Sequence, residues 1–215
     1  WLIGGRLINK LLAFLVSIIT ARYLGPDDYG LINYAAAYIT FAASLCTLGT
    51  NAVIIKNFMD YPKEEGAALG TTLVLRALSS CLIAVMIVGV VSIVDRDEPL
   101  TIIVVMLSSI SLLFHVFDSL KRWFQAKLQS KFAAVATVLS FISVSGYKVV
   151  LLVLGKNVKW FALATSVEYV TLAAVLLLFY KRQGGPKLSC SIKKAKQILS
   201  ESGGFIVSDL MVSIY

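Results

Sequence analysis

Charged side chains are scarce in this sequence of 215 residues, where they make up 15% of the total. Soluble domains usually carry about 25%. The charges are also segregated, because long apolar stretches alternate with short clusters of Lys, Arg, Asp and Glu. Residues 82–94 offer one polar side chain, Ser92, so they lack the polar stripe of a helix in a soluble bundle. The composition therefore predicts a membrane protein.

Residues that bind metals or carry out catalysis are also few. The three cysteines, Cys46, Cys81 and Cys190, match no metal-binding spacing, and His115 is the only histidine. There is no nucleotide motif and no Ser/His/Asp arrangement, and the loops are too short for a catalytic domain. We therefore expect no metal and no cofactor, and a protein that is not an enzyme.

Six apolar stretches are each long enough to cross a bilayer core, which takes roughly 20 helical residues. They predict an all-α, polytopic membrane helix bundle of six transmembrane helices, with a seventh helix starting near residue 203. The predicted spans are residues 2–23, 29–48, 67–94, 100–123, 132–154 and 158–180. Short loops between them indicate antiparallel neighbours.

Basic residues in the loops and in the span ends that flank them predict the direction of the spans, since cytoplasmic loops carry an excess of Lys and Arg. One side holds twelve: Lys56, Lys63, Lys121, Arg122, Lys127, Lys131, Lys181, Arg182, Lys187, Lys193, Lys194 and Lys196. The other side holds four: Arg22, Arg96, Lys156 and Lys159. We therefore expect a cytoplasmic N-terminus. The net charge of +8 is explained by this topology, so no nucleic-acid partner is implied.

The four remaining basic residues fall inside the predicted spans: Arg6, Lys10, Arg76 and Lys148. A charge at mid-bilayer costs at least about 2.5–3.5 kcal/mol, so it normally faces a polar interior or a transport pathway. We interpret these four as the lining of a water-filled cavity that binds an anionic substrate. Arginine would hold phosphate oxygens through two nitrogens, and lysine would act as a point charge.

Acidic residues are fewer within the spans, where Asp118 and Glu168 lie. Other interpretations remain open. Arg6 and Asp118 could extend to the membrane interface, and Glu168 could form a structural ion pair with Lys148 or Lys10.

Three segments carry a resemblance to a known family. The first is Ala-Arg-Tyr-Leu-Gly-Pro-Asp-Asp-Tyr-Gly at residues 21–30. The others are Leu-Gly-Thr-Asn-Ala-Val-Ile-Ile-Lys at residues 48–56 and Glu-Gly-Ala-Ala-Leu-Gly-Thr-Thr-Leu-Val-Leu-Arg at residues 65–76. Together they resemble the polysaccharide and O-antigen repeat-unit flippases of the multidrug/oligosaccharidyl-lipid/polysaccharide exporter superfamily.

The resemblance implies a transporter of two six-helix lobes in the inner, cytoplasmic membrane. It would flip a polyprenyl-pyrophosphate-linked oligosaccharide by alternating access, with polysaccharide assembly proteins as further partners. The chain would divide into an N-terminal lobe (residues 1–180), a basic cytoplasmic linker (181–202) and the truncated start of a second lobe (203–215). A weak internal match of residues 4–12 to residues 203–211 places Asp209 where Lys10 lies in the first lobe.

The linker contains a predicted basic helix at residues 191–198. Its lysines would either face anionic lipid or form a plain positive tether.

Two other functions remain open. A cation-coupled multidrug antiporter of the same superfamily would prefer an acidic cavity, whereas bases outnumber acids in these spans. Asp118, Glu168 and Asp209 could nevertheless couple transport to H⁺ or Na⁺. The second is a flippase for a lipid-linked cell-wall precursor, which is closely related to the polysaccharide repeat-unit flippases. A membrane glycan polymerase or glycosyltransferase would need a carboxylate pair or a soluble loop, which this sequence does not offer.

Overall fold

A computed structural model describes the backbone of residues 2–214 and the side chains of residues 13–205 and 211. Within these residues the chain is helical and contains no strand. The helices are α1 (Leu2–Cys46), α2 (Thr50–Asp60), α3 (Glu65–Val94), α4 (Pro99–His115), α5 (Asp118–Ala126), α6 (Ser130–Val153), α7 (Val158–Ala162), α8 (Ala164–Arg182) and α9 (Ile192–Ile214). The predicted all-α membrane helix bundle is confirmed.

Helix α1 consists of two arms that meet at a break. Its 45 residues would extend for about 68 Å as one straight helix, twice the roughly 30 Å of a bilayer core. At Gly25 the backbone leaves the helical region (φ 79°, ψ 174°), and Pro26 follows without an N–H to donate. Glycine tolerates this positive φ because it has no Cβ. The two arms correspond to the first two predicted spans.

The described residues contain five continuous stretches that are long and apolar enough to cross a membrane. The first of these, Ala13–Asp60, runs through the break in α1. The others are Pro62–Val94, Pro99–Ala126, Ser130–Val153 and Val158–Arg182. Large apolar side chains such as Leu78, Val85 and Ile93 are two-thirds or more exposed, which fits a surface that faces lipid.

The loops alternate between the two ends of the bundle, as predicted for antiparallel spans. At one end Glu64 pairs with Lys194, and Glu65 pairs with Lys127. We call this the basic end, because it holds the loops before α3, between α5 and α6, and after α8. At the opposite end the Tyr34 hydroxyl donates to Asp95.

Two clusters of buried side chains form the core. The cluster nearer the basic end includes Leu69, Leu120, Phe124 and Leu176 from α3, α5 and α8. The other joins the second arm of α1 to α3 and α4, through residues such as Ala42, Val91, Val104 and Leu112. Each cluster spans several helices, so it fixes the positions of the polar groups between them.

Residues 186–191 form an extended strap that lies on α3. The Ser189 N–H donates to the Gly66 carbonyl (3.2 Å), and the Ser191 N–H donates to Thr71 Oγ1 (3.0 Å). Gly66 and Gly70, one helical turn apart, leave room for the strap backbone. A Cβ at Gly70 would lie 2.3 Å from the Ser189 carbonyl oxygen.

The helix predicted at residues 191–198 and the seventh helix predicted to start near residue 203 are one continuous helix, Ile192–Ile214, so the predicted start at residue 203 is wrong. Helix α9 packs against α1, α2 and α3, with Ile198 and Ser202 fully buried. Lys194 pairs with Glu64 and lies over the Tyr61 ring, 4.5 Å from its centre. Lys193 and Lys196 are exposed.

Two neighbouring ion pairs at the basic end offer a matched stability test. Lys127–Glu65 and Lys194–Glu64 both measure 2.6 Å, but the Glu65 side chain is 5% exposed and that of Glu64 is 55% exposed. Glu65 also accepts a hydrogen bond from Trp123 Nε1 (3.1 Å). We expect Glu65→Ala to lower the free energy of unfolding by about 1–3 kcal/mol, because a buried indole N–H loses its acceptor.

The control is Glu64→Ala, for which an exposed ion pair predicts a loss of only about 0–1 kcal/mol. Thermal unfolding of both variants in detergent compares the two effects. Equal shifts in melting temperature would contradict the structural role assigned to Glu65.

Candidate functional site

Arg76 is the largest fully buried side chain in the described part of the bundle, with 1% of its surface exposed. Its Nε and Nη2 donate to Thr50 Oγ1 (3.0 and 2.7 Å), and Nη2 also donates to Asn51 Oδ1 (2.9 Å). Leu48 and Gly49 have positive φ values of 51° and 61°, which turn the chain between α1 and α2. This turn brings the first residues of α2 against the middle of α3.

A second arginine approaches the same amide oxygen. Arg122 on α5 donates from Nε to Asn51 Oδ1 (3.2 Å) and from Nη1 to Gln125 Oε1 (3.1 Å). Asp118, one turn earlier, accepts from Lys121 at 2.7 Å and lies 3.7 Å from Arg122 Nη2. The spacing of three and four residues places these three side chains on one face of α5.

The polar groups continue toward α6 and α8. Glu168 on α8 lies within electrostatic range of Lys121 and Lys148, and Lys148 on α6 lies within range of Tyr29, but none of these pairs is joined by a hydrogen bond or an ion pair in the described part of the chain. Lys148 and Glu168 are both partly buried. We call the whole set the polar seam: Asn51, Arg76, Asp118, Lys121, Arg122, Lys148 and Glu168.

Among the residues whose side chains are described, the polar seam holds four cations and two carboxylates. Its electrostatic balance is therefore positive by two charges. Such a group inside a membrane protein attracts anions, because the low dielectric around it strengthens each interaction.

A cavity of about 250 Å³ lies between the second arm of α1, α4 and α8. Its lining is mostly apolar, with polar groups that include Ser108, Ser111, Thr165 and Tyr169. His115 also lines it, and its ring lies 5.0 Å from that of Tyr169. The cavity thus adjoins the helix turn that leads into Asp118.

The structure brings together four of the seven predicted site residues. Arg76 and Asp118 join through direct contacts with Asn51 and Arg122, whereas Lys148 and Glu168 lie within electrostatic range without a direct contact. Arg76 is enclosed rather than open to a cavity. Glu168 and Lys148, whose structural pairing was one of the alternatives left open above, form no ion pair within 4 Å in the described part of the chain. Arg6, Lys10 and Asp209 lie outside the residues whose side chains are described.

Sequence reasoning missed three members of the polar seam. Lys121 and Arg122 were counted among the loop charges that set orientation, and Asn51 was noted only as part of a family segment. The spacing Asp118, Lys121, Arg122 is the signal that could have found the first two, since it is typical of one helix face. Asn51 is recognised only through its contacts.

The sequence of the whole chain, residues 1–215, matches the family of polysaccharide biosynthesis proteins. The chain belongs to that family. No protein of curated function matches the sequence. Family membership and the helix bundle together fit a membrane exporter or flippase, as the three segments above suggested.

A solved structure supports the fold of this polysaccharide biosynthesis protein. The crystal structure of MATE in complex with MaD5 is similar with a TM-score of 0.72 at 20% sequence identity. The similarity covers 98% of this chain and 52% of that one, so the chain spans about half the length of the MATE protein. At this identity the similarity shows that the two share a fold.

Proposed function

We propose that the protein containing this chain flips a polyprenyl-pyrophosphate-linked oligosaccharide, a repeat unit of a cell-surface polysaccharide, across the cytoplasmic membrane. Residues 1–180 form one lobe of the transporter, 181–202 its linker, and 203–215 the start of a second lobe. The N-terminus and the basic end face the cytoplasm, where basic loops are normally retained. Alternating access moves the head group through a cationic central cavity, and no covalent bond changes.

The observation that carries this proposal is the positive balance of the polar seam. A cation within a membrane span costs at least about 2.5–3.5 kcal/mol, and Arg76 in the seam is fully buried. A pyrophosphate linkage carries two negative charges, which match the excess of the described seam residues. The polyprenyl chain would remain in lipid, so the polar head group alone has to leave water.

The cation-coupled multidrug antiporter is less well supported. A cationic drug needs carboxylates that are open to it. Asp118 is paired with Lys121 and lies near Arg122, and the charge of Glu168 is opposed by that of Lys148. Both carboxylates therefore have cationic neighbours already.

Lys148 provides a direct test in the purified full-length protein, reconstituted into vesicles with a fluorescent polyprenyl-pyrophosphate glycan. We expect Lys148→Met to lower the flipping rate about tenfold, because the substrate loses one charge partner in a low-dielectric site. Flipping is measured as the fraction of label that becomes accessible at the opposite face of the vesicle.

The matched control is Lys159→Met, which removes an exposed lysine from α7. It should flip at the parent rate. Parent protein that does not flip the labelled glycan would overturn the proposed function, and equal rates for the two variants would remove Lys148 from the pathway.

A further inference from the structure

The first turn and a half of α5 presents two cations that share one carboxylate. Asp118 Oδ1 lies 2.7 Å from Lys121 Nζ, whereas Oδ2 lies 3.7 Å from Arg122 Nη2. Charge-assisted hydrogen bonds between nitrogen and oxygen measure about 2.7–2.9 Å. Asp118 is therefore fully engaged with Lys121 and only loosely engaged with Arg122.

The other contacts of Arg122 fix its orientation without neutralising it. Its Nε and Nη1 donate to the neutral oxygens of Asn51 and Gln125. The Nη2 edge is directed toward Asp118 instead. A guanidinium held in this way is preorganised to bind an oxyanion, since little side-chain entropy is lost when the anion arrives.

These groups are accessible, unlike Arg76. The side chains of Lys121 and Arg122 are 22% and 29% exposed, and that of Asp118 is 15% exposed. They lie near the basic end, where a substrate from the cytoplasm would enter. Arg76 lies behind them, bonded to the same Asn51 oxygen, and adds positive charge without needing contact.

We propose that Lys121 and Arg122 form the entry site for the pyrophosphate of the substrate, and that Asp118 is an internal competitor which occupies both cations until the substrate displaces it. The proposal rests on the proposed function. It adds a phosphate-binding site, Lys121 and Arg122, in which the Asp118 carboxylate occupies the cations before substrate binds. Displacement would leave Asp118 free to repel the bound phosphate later, which favours release.

A purely structural role for the same three residues predicts something different. An ion-paired face of α5 that only joined α5 to α2 would be weakened by removing any member. An internal competitor would instead make anion binding tighter when it is neutralised. Asp118→Asn therefore separates the two roles, because the amide keeps the size of the carboxylate and removes its charge.

The test measures binding of geranyl pyrophosphate, a soluble prenyl pyrophosphate, to the purified full-length protein by microscale thermophoresis. We expect Lys121→Gln and Arg122→Gln each to weaken binding about tenfold, and Asp118→Asn to tighten it several-fold. Lys131→Gln, which removes an exposed lysine from the first turn of α6 at the same end, is the matched control and should bind as the parent does. Geranyl monophosphate and inorganic pyrophosphate show whether two phosphates or the prenyl group carry the affinity.

Two results would overturn the entry site: affinities of the Lys121 and Arg122 variants equal to that of Lys131→Gln, or weaker binding by Asp118→Asn. Either could occur in a protein that still flips the labelled glycan, in which case the proposed function stands and this site does not carry it. If the parent protein binds geranyl pyrophosphate through Lys121 and Arg122 but flips no glycan, the anion-binding site is supported and the proposed flippase function is wrong.

Discussion

Replacing Arg76 by methionine is expected to lower glycan flipping about tenfold or more while leaving the melting temperature close to that of the parent. The two halves of this result have separate physical causes. Transport is lost because the positive charge is removed. Stability is retained because Thr50 and Asn51 keep their other hydrogen bonds after the guanidinium is removed.

The charge of Arg76 acts over a short distance. Its Nη2 and the Nε of Arg122 lie at most about 6 Å apart, because both are within 3.2 Å of the same Asn51 oxygen. A phosphate bound at Arg122 would then be roughly 8 Å from Arg76. At that distance one pair of unit charges contributes about 2 kcal/mol for an effective dielectric constant near 20. This energy corresponds to more than a tenfold change in binding.

The fold is expected to tolerate the change. Thr50 Oγ1 still donates to the Thr47 carbonyl (2.7 Å), and Asn51 Oδ1 still accepts from Arg122. Methionine fills much of the space without strain, because it is flexible and close in length. The removal of a buried charge offsets the lost hydrogen bonds by at least about 2.5–3.5 kcal/mol.

Flipping by Arg76→Met and Arg76→Lys in vesicles, beside thermal unfolding in detergent, checks both halves. Arg76→Lys keeps the charge and should retain most of the transport that Arg76→Met loses. A variant Arg76→Met that transports normally would contradict the cationic interior. A variant that unfolds at much lower temperature would show that Arg76 is mainly structural.

The fold was predictable from sequence because the bilayer imposes strong local rules. Each span needs a long apolar run, and the run at residues 82–94 satisfies that rule without any tertiary information. The break in α1 is also local, since Gly25 and Pro26 are the residues that interrupt a helix. Such features depend on neighbours in sequence.

The candidate site was predicted in part. Arg76, Lys148, Asp118 and Glu168 stood out because charges inside spans are costly. Arg122 did not, because a rule that counts basic residues near span ends assigns it to orientation. Its bond to Asn51 joins residues 71 positions apart, and no local pattern specifies that pairing. The hydrogen bond from the Ser189 N–H of the strap to the Gly66 carbonyl is likewise a tertiary contact between distant segments.

The second prediction concerns that strap, residues 186–191. We expect Gly70→Ala to raise the rate of tryptic cleavage after Lys187 about tenfold or more in the folded protein. A Cβ at this position would lie 2.3 Å from the Ser189 carbonyl oxygen and 2.9 Å from the Ser189 nitrogen. Both atoms belong to backbone, so the strap has to move as a unit.

Movement of the strap breaks its bonds to α3. The Ser189 N–H leaves the Gly66 carbonyl, and the Ser191 N–H leaves Thr71 Oγ1. Overpacking of this kind costs about 1–3 kcal/mol. A protease cleaves an extended segment only after it opens, so the cleavage rate follows the population of the open form. Mass spectrometry of the fragments identifies cleavage after Lys187 among the other basic sites.

Gly89→Ala and Gly146→Ala are the matched controls, because a Cβ at either position meets nothing within 4 Å. Both glycines lie inside helices, where alanine is favoured over glycine by about 1 kcal/mol. The controls should therefore leave cleavage after Lys187 unchanged and raise the melting temperature slightly. Gly66→Ala should behave like Gly70→Ala, since its Cβ would lie 2.3 Å from the Lys187 carbonyl oxygen. If Gly66→Ala and Gly70→Ala instead matched the controls, the strap would not be held by this groove, and the start of α9 would be positioned by its own packing on α1 and α2.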